Sequence, residues 1–230
     1  MYTWNWNIIW VYKTVFIQGA LVTIGLTLIA IILGTILGVI FAFIKRSANP
    51  VFSYLTRIYI ELFRAIPILV LLIWVFYVLP IIFGLRLTAF NSAILALSLN
   101  LSAFVAETVR AGIESIPAGQ FESAYALGMN KFQAMWHIIF PQAIKNMIPN
   151  LMGLYINEIK NSSLASVIAV GELLHQSNTL ISNTYRPLEI YTTVAIMYLV
   201  IILPLVFVAR IFEKRLNKSS ASEIVYETSH

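Results

Sequence analysis

Long uncharged runs, separated by short charged or proline-bearing breaks, set the pattern of this chain. Residues 19–44 carry no charged side chain; as a helix rising ~1.5 Å per residue they would extend about 39 Å, enough to cross a bilayer with tilt. Lys45-Arg46-Ser47-Ala48-Asn49-Pro50 ends that run, Pro50 blocking its continuation. A second span follows, in which Glu61 and Arg64 stand three apart, close enough to pair on a helix face, before an uncharged stretch over 65–85 with Pro67 near its start. A third run covers 87–106, and Glu107 and Arg110 repeat the three-residue spacing. The last uncharged run is 190–209. Within the first run Gly34 and Gly38 form a small-xxx-small pair, with Gly25 earlier, and predict close packing against another helix of the same subunit.

Residues 112–145 break this pattern. Pro117 can open a short helix whose apolar side is Phe121, Ala124, Tyr125 and Leu127, and Gly128 suits a left-handed C-terminal cap. Asn130 with Gln133 three residues on reads as a capping box for a second short helix bearing Phe132, Trp136 and Ile139, which Pro141 would break. A hairpin of this size cannot bury a core of its own, so it must lie against other helices or a partner. The stretch 147–170 is apolar except in its middle, where Asn157, Glu158, Lys160, Asn161, Ser162 and Ser163 cluster.

Composition narrows the class. Only 11% of the 230 residues are charged and 60% are hydrophobic, with a mean hydropathy of +0.85. A soluble domain carries roughly 25% charge, so the solvent of this chain is lipid. The net charge of +5 is scattered rather than clustered into the basic face that nucleic acid requires. Zero cysteines remove disulfides and thiolate chemistry. His137 and His175 stand apart from carboxylate clusters, which predicts no metal site, and no GxxxxGK[ST] phosphate loop occurs.

Charge placement decides the topology. If 147–170 crosses, there are five spans, and Lys45, Arg46, Arg57, Arg110, Lys131, Lys145, Arg210, Lys214, Arg215 and Lys218 all fall inside, against Lys13, Arg86 and Arg186 outside. The expectation is an all-α integral membrane protein with five transmembrane helices. The N-terminus is outside, the C-terminus inside, and a cytoplasmic two-helix hairpin (about 112–145) lies between helices 3 and 4. Residues 1–16, with Trp4, Trp6 and Trp10, read either as an interfacial segment or as a frayed end. Residues 17–216 form the membrane domain, 171–186 are an external loop, and 217–230 read as a disordered cytoplasmic tail.

The hairpin carries a motif. Glu122-Ser123-Ala124, Gly128 four residues later and Ile138-Ile139-Phe140-Pro141 closely resemble the EAA loop of permease subunits in bacterial ATP-binding-cassette importers, departing at Ser123 and Phe140. The likeness extends to the polar-amino-acid permeases, the histidine/glutamine/arginine group. It is carried by Glu61-Leu62-Phe63-Arg64-Ala65-Ile66-Pro67, Ser115-Ile116-Pro117 with Gly119-Gln120, Pro141-Gln142-Ala143, Lys160-Asn161-Ser162-Ser163-Leu164-Ala165-Ser166, and Gly19-Ala20 with Thr23 and Thr27.

What the resemblance implies is a non-catalytic permease of the bacterial inner membrane, taking up a polar amino acid. It would work with a cytoplasmic ATPase dimer, a second permease copy or a homologous permease, and an extracytoplasmic binding protein. ATP and Mg would be bound by the ATPase and no cofactor by this chain. Phe121, Glu122, Ser123, Ala124, Gly128 and Pro141 would form the coupling hairpin, with Phe121, Tyr125 or Phe132 as apolar anchor. Arg64, Pro67, Asn157, Glu158, Asn161, Ser162 and Ser163 would line the substrate pathway. Charges at membrane depth require a cavity or partner, and Glu158 and Lys160, two apart, point away from each other. Family members handling cationic amino acids commonly carry an acidic residue where this chain has Leu154. A rival from another class is an ion-coupled secondary amino-acid transporter using Glu158 as its titrating site.

Overall fold

The computed structural model describes residues 2–47 and 49–227, and those residues are all helix, turn or irregular chain, without a strand. In order the helices are α1 (Asn7–Val11), α2 (Lys13–Lys45), α3 (Pro50–Ala65), α4 (Ile68–Ile73), α5 (Leu79–Phe83), α6 (Ala89–Glu114), α7 (Ala118–Ala126), α8 (Lys131–Ala134), α9 (Phe140–Ser162), α10 (Leu173–Thr184) and α11 (Pro187–Glu227). Wide π turns at Trp74–Val78 and Met135–Ile139 join α4 to α5 and α8 to α9, and a tight 3-10 turn at Ser163–Ile168 follows α9.

Helix α6 is the centre of the bundle because its inner positions are small or apolar: Ala93, Ala96, Leu97, Ala103, Val105 and Ala106 are all buried. Against it lies α2, brought close by the predicted glycines. A Cβ on Gly34 would meet Leu101 at 2.9 Å, and one on Gly38 would meet Val105 at 2.6 Å and the Ser102 carbonyl at 2.7 Å. The contact is within one chain, as the small-xxx-small spacing predicts. Gly25 faces open space and makes no such approach.

Several expectations are corrected. The second span is not one helix: the chain breaks at Ile66–Pro67, and Pro50–Ala65 makes an angle of 106° with Ile68–Phe83. The residue before a proline is driven out of the helical region, and Ile66 is extended at φ −76°, ψ 127°. Glu61 pairs with Arg57 at 2.9 Å rather than with Arg64, while Glu107 does pair with Arg110 and also reaches Lys45 at 3.4 Å. Three helices are long and apolar enough to cross, Lys13–Lys45, Ala89–Glu114 and Pro187–Phe212, and the bent pair makes up to four. Helix α9 is too polar to join them on length and composition.

The segment 171–186 is mostly the helix α10 rather than a loop. Buried Glu172 caps it, accepting from the backbone N–H of Leu174 (2.8 Å) and His175 (2.7 Å) and from the Tyr198 hydroxyl (2.9 Å). Gly19 lets α10 approach α2, since a Cβ there would sit 2.8 Å from Leu173 Cα, and the Thr23 hydroxyl accepts from Leu173 N–H at 3.1 Å. The N-terminus is tied down rather than frayed: Tyr2 bonds Glu189, Asn5 N–H donates to Glu189 at 2.9 Å, and Arg186 donates to the Thr3 carbonyl at 2.6 Å. Residues 217–227, expected as disordered tail, continue the helix of α11, because a helix already nucleated by an apolar span propagates at small cost. Residues 228–230 of that tail lie outside the described residues.

Candidate functional site

The hairpin builds from its capping residues. Pro117 precedes α7, and at its other end Gly128 adopts φ +77°, the left-handed conformation that a Cβ disfavours. Met129 N–H donates to the Ala124 carbonyl (3.1 Å) and Gly128 N–H to the Tyr125 carbonyl (2.9 Å), the paired bonds of a Schellman ending. The capping box predicted at Asn130 is present in both halves, 2.9 Å from Gln133 N–H and 3.0 Å back to Asn130 N–H.

Which side chains face outward follows from this register. Ala124 is 0% exposed, so its slot admits only a small residue, while Glu122 and Ser123 are exposed. Phe121 is partly buried and packs against the cluster holding Ile116, Ile139 and Ala143. The exposed apolar residues at the tip are Tyr125 (47%) and Leu127 (74%).

Pro141 does not break the second helix. It sits in the first turn of α9, directly after the π turn Met135–Ile139, so 131–162 runs as a continuous helical rod. A proline removes one N–H and crowds the preceding turn, and a widened turn absorbs both effects. The Gln142 side-chain amide donates to the Ile138 carbonyl at 3.0 Å, within the turn that the proline disturbs. Gln142 also reaches Gln120 of α7 at 3.3 Å, and Asn146 donates to Ser115 Oγ at 2.9 Å. These bonds brace the hairpin against the rod.

The rod ends at a cavity of about 210 Å³, lined by Asn100, Leu101 and Phe104 of α6 and by Leu154, Asn157, Glu158 and Asn161 of α9. Three residues expected on the substrate pathway, Asn157, Glu158 and Asn161, therefore meet. Glu158 is 2% exposed, and its Oε1 has no hydrogen-bond partner among the described residues. A buried acceptor left unpaired is costly, which sets Glu158 apart from the other carboxylates of the chain. Lys160 is exposed on another side of the helix and cannot neutralise it.

Other expected residues stand elsewhere. Ser162 and Ser163 spend their hydroxyls on the Ile159 and Lys160 carbonyls, each at 2.7 Å, and do not line the cavity. Pro67 marks the helix break instead. Arg64 stacks over Phe104, its Cζ 5.5 Å from the ring centroid, and lines a neighbouring hollow with Lys45, Arg57, Glu61, Glu107 and Arg110. Sequence inspection missed Asn100, whose amide donates to the Phe63 carbonyl at 2.8 Å, fixing the end of α3 beside Arg64. An amide well inside an uncharged run that holds only one other, Asn91, was the available signal.

A family model described as "Binding-protein-dependent transport system inner membrane component" matches residues 34–218. The putative glutamine transport system permease protein GlnP of Rickettsia bellii (strain RML369-C) is 36% identical over 200 residues, covering 87% of this chain and 92% of its own. The probable glutamine ABC transporter permease protein GlnM of Bacillus subtilis (strain 168) is 37% identical over 215 residues, covering 94% and 99%. Among solved structures, an amino acid ABC transporter crystallised with histidines superposes with a TM-score of 0.87 at 36% identity, over 93% of this chain and 100% of that one.

Proposed function

The chain belongs to the binding-protein-dependent transport system inner membrane component family, and on that premise we propose that it is the permease subunit of an ATP-driven importer of a polar amino acid. As a family member it is a multi-pass inner-membrane component and not the catalytic subunit. The glutamine permeases it resembles support an amide or similar polar side chain as cargo, and they do not favour the ion-coupled rival.

The observation that carries the mechanism is the continuity of the rod. No loop interrupts 131–162, although Pro149 lies inside it, so a displacement at Lys131 is delivered to Glu158 about 40 Å away, at ~1.5 Å per residue. A cytoplasmic ATPase dimer, which would hold the ATP and Mg, docks on the face of Glu122, Ser123, Tyr125 and Leu127. Glu122 supplies a charge at the rim and Leu127 an apolar anchor. Closing of the ATPases moves the hairpin and the rod together, and the cavity changes the side from which it is reached.

At the cavity, the Glu158 carboxylate accepts N–H bonds from the substrate's ammonium group, while Asn100, Asn157 and Asn161 offer amides to its polar side chain or carboxylate. Arg64, the cation nearest Phe104, meets the carboxylate as it leaves the cavity. In this arrangement five crossings place the N-terminus and α10 outside, with the aromatic segment of Trp4, Trp6 and Trp10 at the outer interface. Polar α9 crosses with its Asn157, Glu158 and Asn161 face on the cavity rather than on lipid. The permease pairs with a second copy or a similar subunit, and an extracytoplasmic binding protein delivers the substrate.

The test is uptake of labelled glutamine by vesicles holding the reconstituted complex with internal ATP. Accumulation that needs ATP and is lost in Glu158→Ala supports the assignment. Wild-type kinetics in that variant would remove Glu158 from the pathway.

A further inference from the structure

A second cleft, separate from the substrate cavity, opens between the end of α2 and the start of the rod. It measures about 540 Å³ and is lined by Phe43, Arg46, Lys131, Phe132, Met135 and Trp136. An adjoining hollow of about 430 Å³ shares Phe43 and adds Ile44, Ser47 and Phe52. No acidic side chain lines either, and neither Arg46 nor Lys131 is in an ion pair among the described residues. The wall is aromatic: Phe43 lies 6.2 Å from Trp136 and 6.0 Å from Phe140, and Trp136 lies 6.0 Å from Phe132. Phe132 is 70% exposed and leaves its ring open at the mouth of the cleft.

We propose that this cleft binds an anionic phospholipid of the leaflet on the hairpin side, its phosphate held between Arg46 and Lys131 and an acyl chain laid against Phe43, Phe52 and Trp136. Depth identifies the occupant. Arg46 follows the uncharged run 19–44, so the two cations sit where that run leaves the hydrocarbon, at headgroup level, and aromatic rings gather there for the same reason. Phosphodiesters are abundant at that depth and match a guanidinium fork. A soluble protein partner would have to reach Phe43, three residues inside the boundary. The inference goes beyond transport and needs only the family's membrane location. Its consequence is mechanical: Arg46 belongs to α2 and Lys131 to the rod, so one bound phosphate ties the hairpin's second arm to the first span.

The test is native mass spectrometry of the purified complex after exchange into mixed phosphatidylglycerol and phosphatidylcholine. The unmodified complex should retain phosphatidylglycerol over phosphatidylcholine. Arg46→Gln with Lys131→Gln should lower that retention several-fold, and Arg46→Lys with Lys131→Arg should preserve it. Equal retention of the two lipids by the unmodified complex overturns the proposal without use of any variant. Unchanged retention in the double glutamine variant overturns it too. Displacement of the lipid by millimolar inorganic phosphate would assign the site to a soluble anion, and loss of the ATPase from the double glutamine variant with phosphatidylglycerol retention unchanged would assign it to protein docking; either outcome refutes lipid binding. Lipid retention is read without transport, so failure here and failure of the transport assignment are distinguishable.

Discussion

At the scale of single residues, the proposal rests on Glu122, Ala124 and Gly128 in the hairpin and on Glu158 in the buried part of α9. Ala124 is fully buried, so Ala124→Leu overpacks the base of α7 and should cost about 1–3 kcal/mol; a lowered unfolding temperature with weakened ATPase co-purification would check it. Glu122 is exposed and contributes nothing to the core. Glu122→Arg should therefore leave membrane insertion and thermal stability unchanged while ATPase co-purification is lost. Gly128 was legible in the sequence because only a left-handed cap explains a glycine there, and its φ of +77° agrees. Glu158 was legible because charge at membrane depth demands a reason. Asn100 was not, since an amide in an apolar run announces neither its bond to Phe63 nor its place in the cavity. Pro141 misled in the opposite direction: local rules make proline a helix breaker, and the compensating π turn leaves no signature in composition.

Among the elements, the contact of α2 with α6 follows from spacing alone. Gly38 and Gly25 both interrupt the same uncharged run, yet a Cβ would clash at Gly38 and meet nothing at Gly25. Gly38→Leu should lower the unfolding temperature of the purified complex, at a cost of about 1–3 kcal/mol or more, while Gly25→Ala should leave it unchanged or slightly raised. Thermal unfolding in one detergent checks both, and equal effects would contradict the packing. Helix α10 illustrates what hydropathy cannot read. It is short and polar, capped locally by Glu172 and held by Thr23 and the close approach at Gly19, two contacts made across about 150 residues of chain. The break between α3 and α4 was half legible: Pro67 marks its position, but the 106° angle is set by packing against α6.

Over the whole molecule, the proposed mechanism joins the ATPase's force to the buried Glu158 through the loop-free helical segment 131–162. On that mechanism the hairpin has a role only with an ATPase to grip it, which is where the proposal parts from a transporter driven by an ion gradient. The absence of cysteine makes labelling simple: Leu127→Cys should react with a membrane-impermeant maleimide only in inverted vesicles, and Tyr185→Cys only in right-side-out ones. The most direct measurement is amino-acid uptake by proteoliposomes containing the permease with and without its ATPase subunits, under an imposed ion gradient or with internal ATP. We expect accumulation only when ATPase and ATP are both present, and its loss in Glu122→Arg. Uptake driven by the ion gradient in vesicles lacking the ATPase would contradict the coupling of hairpin, rod and cavity.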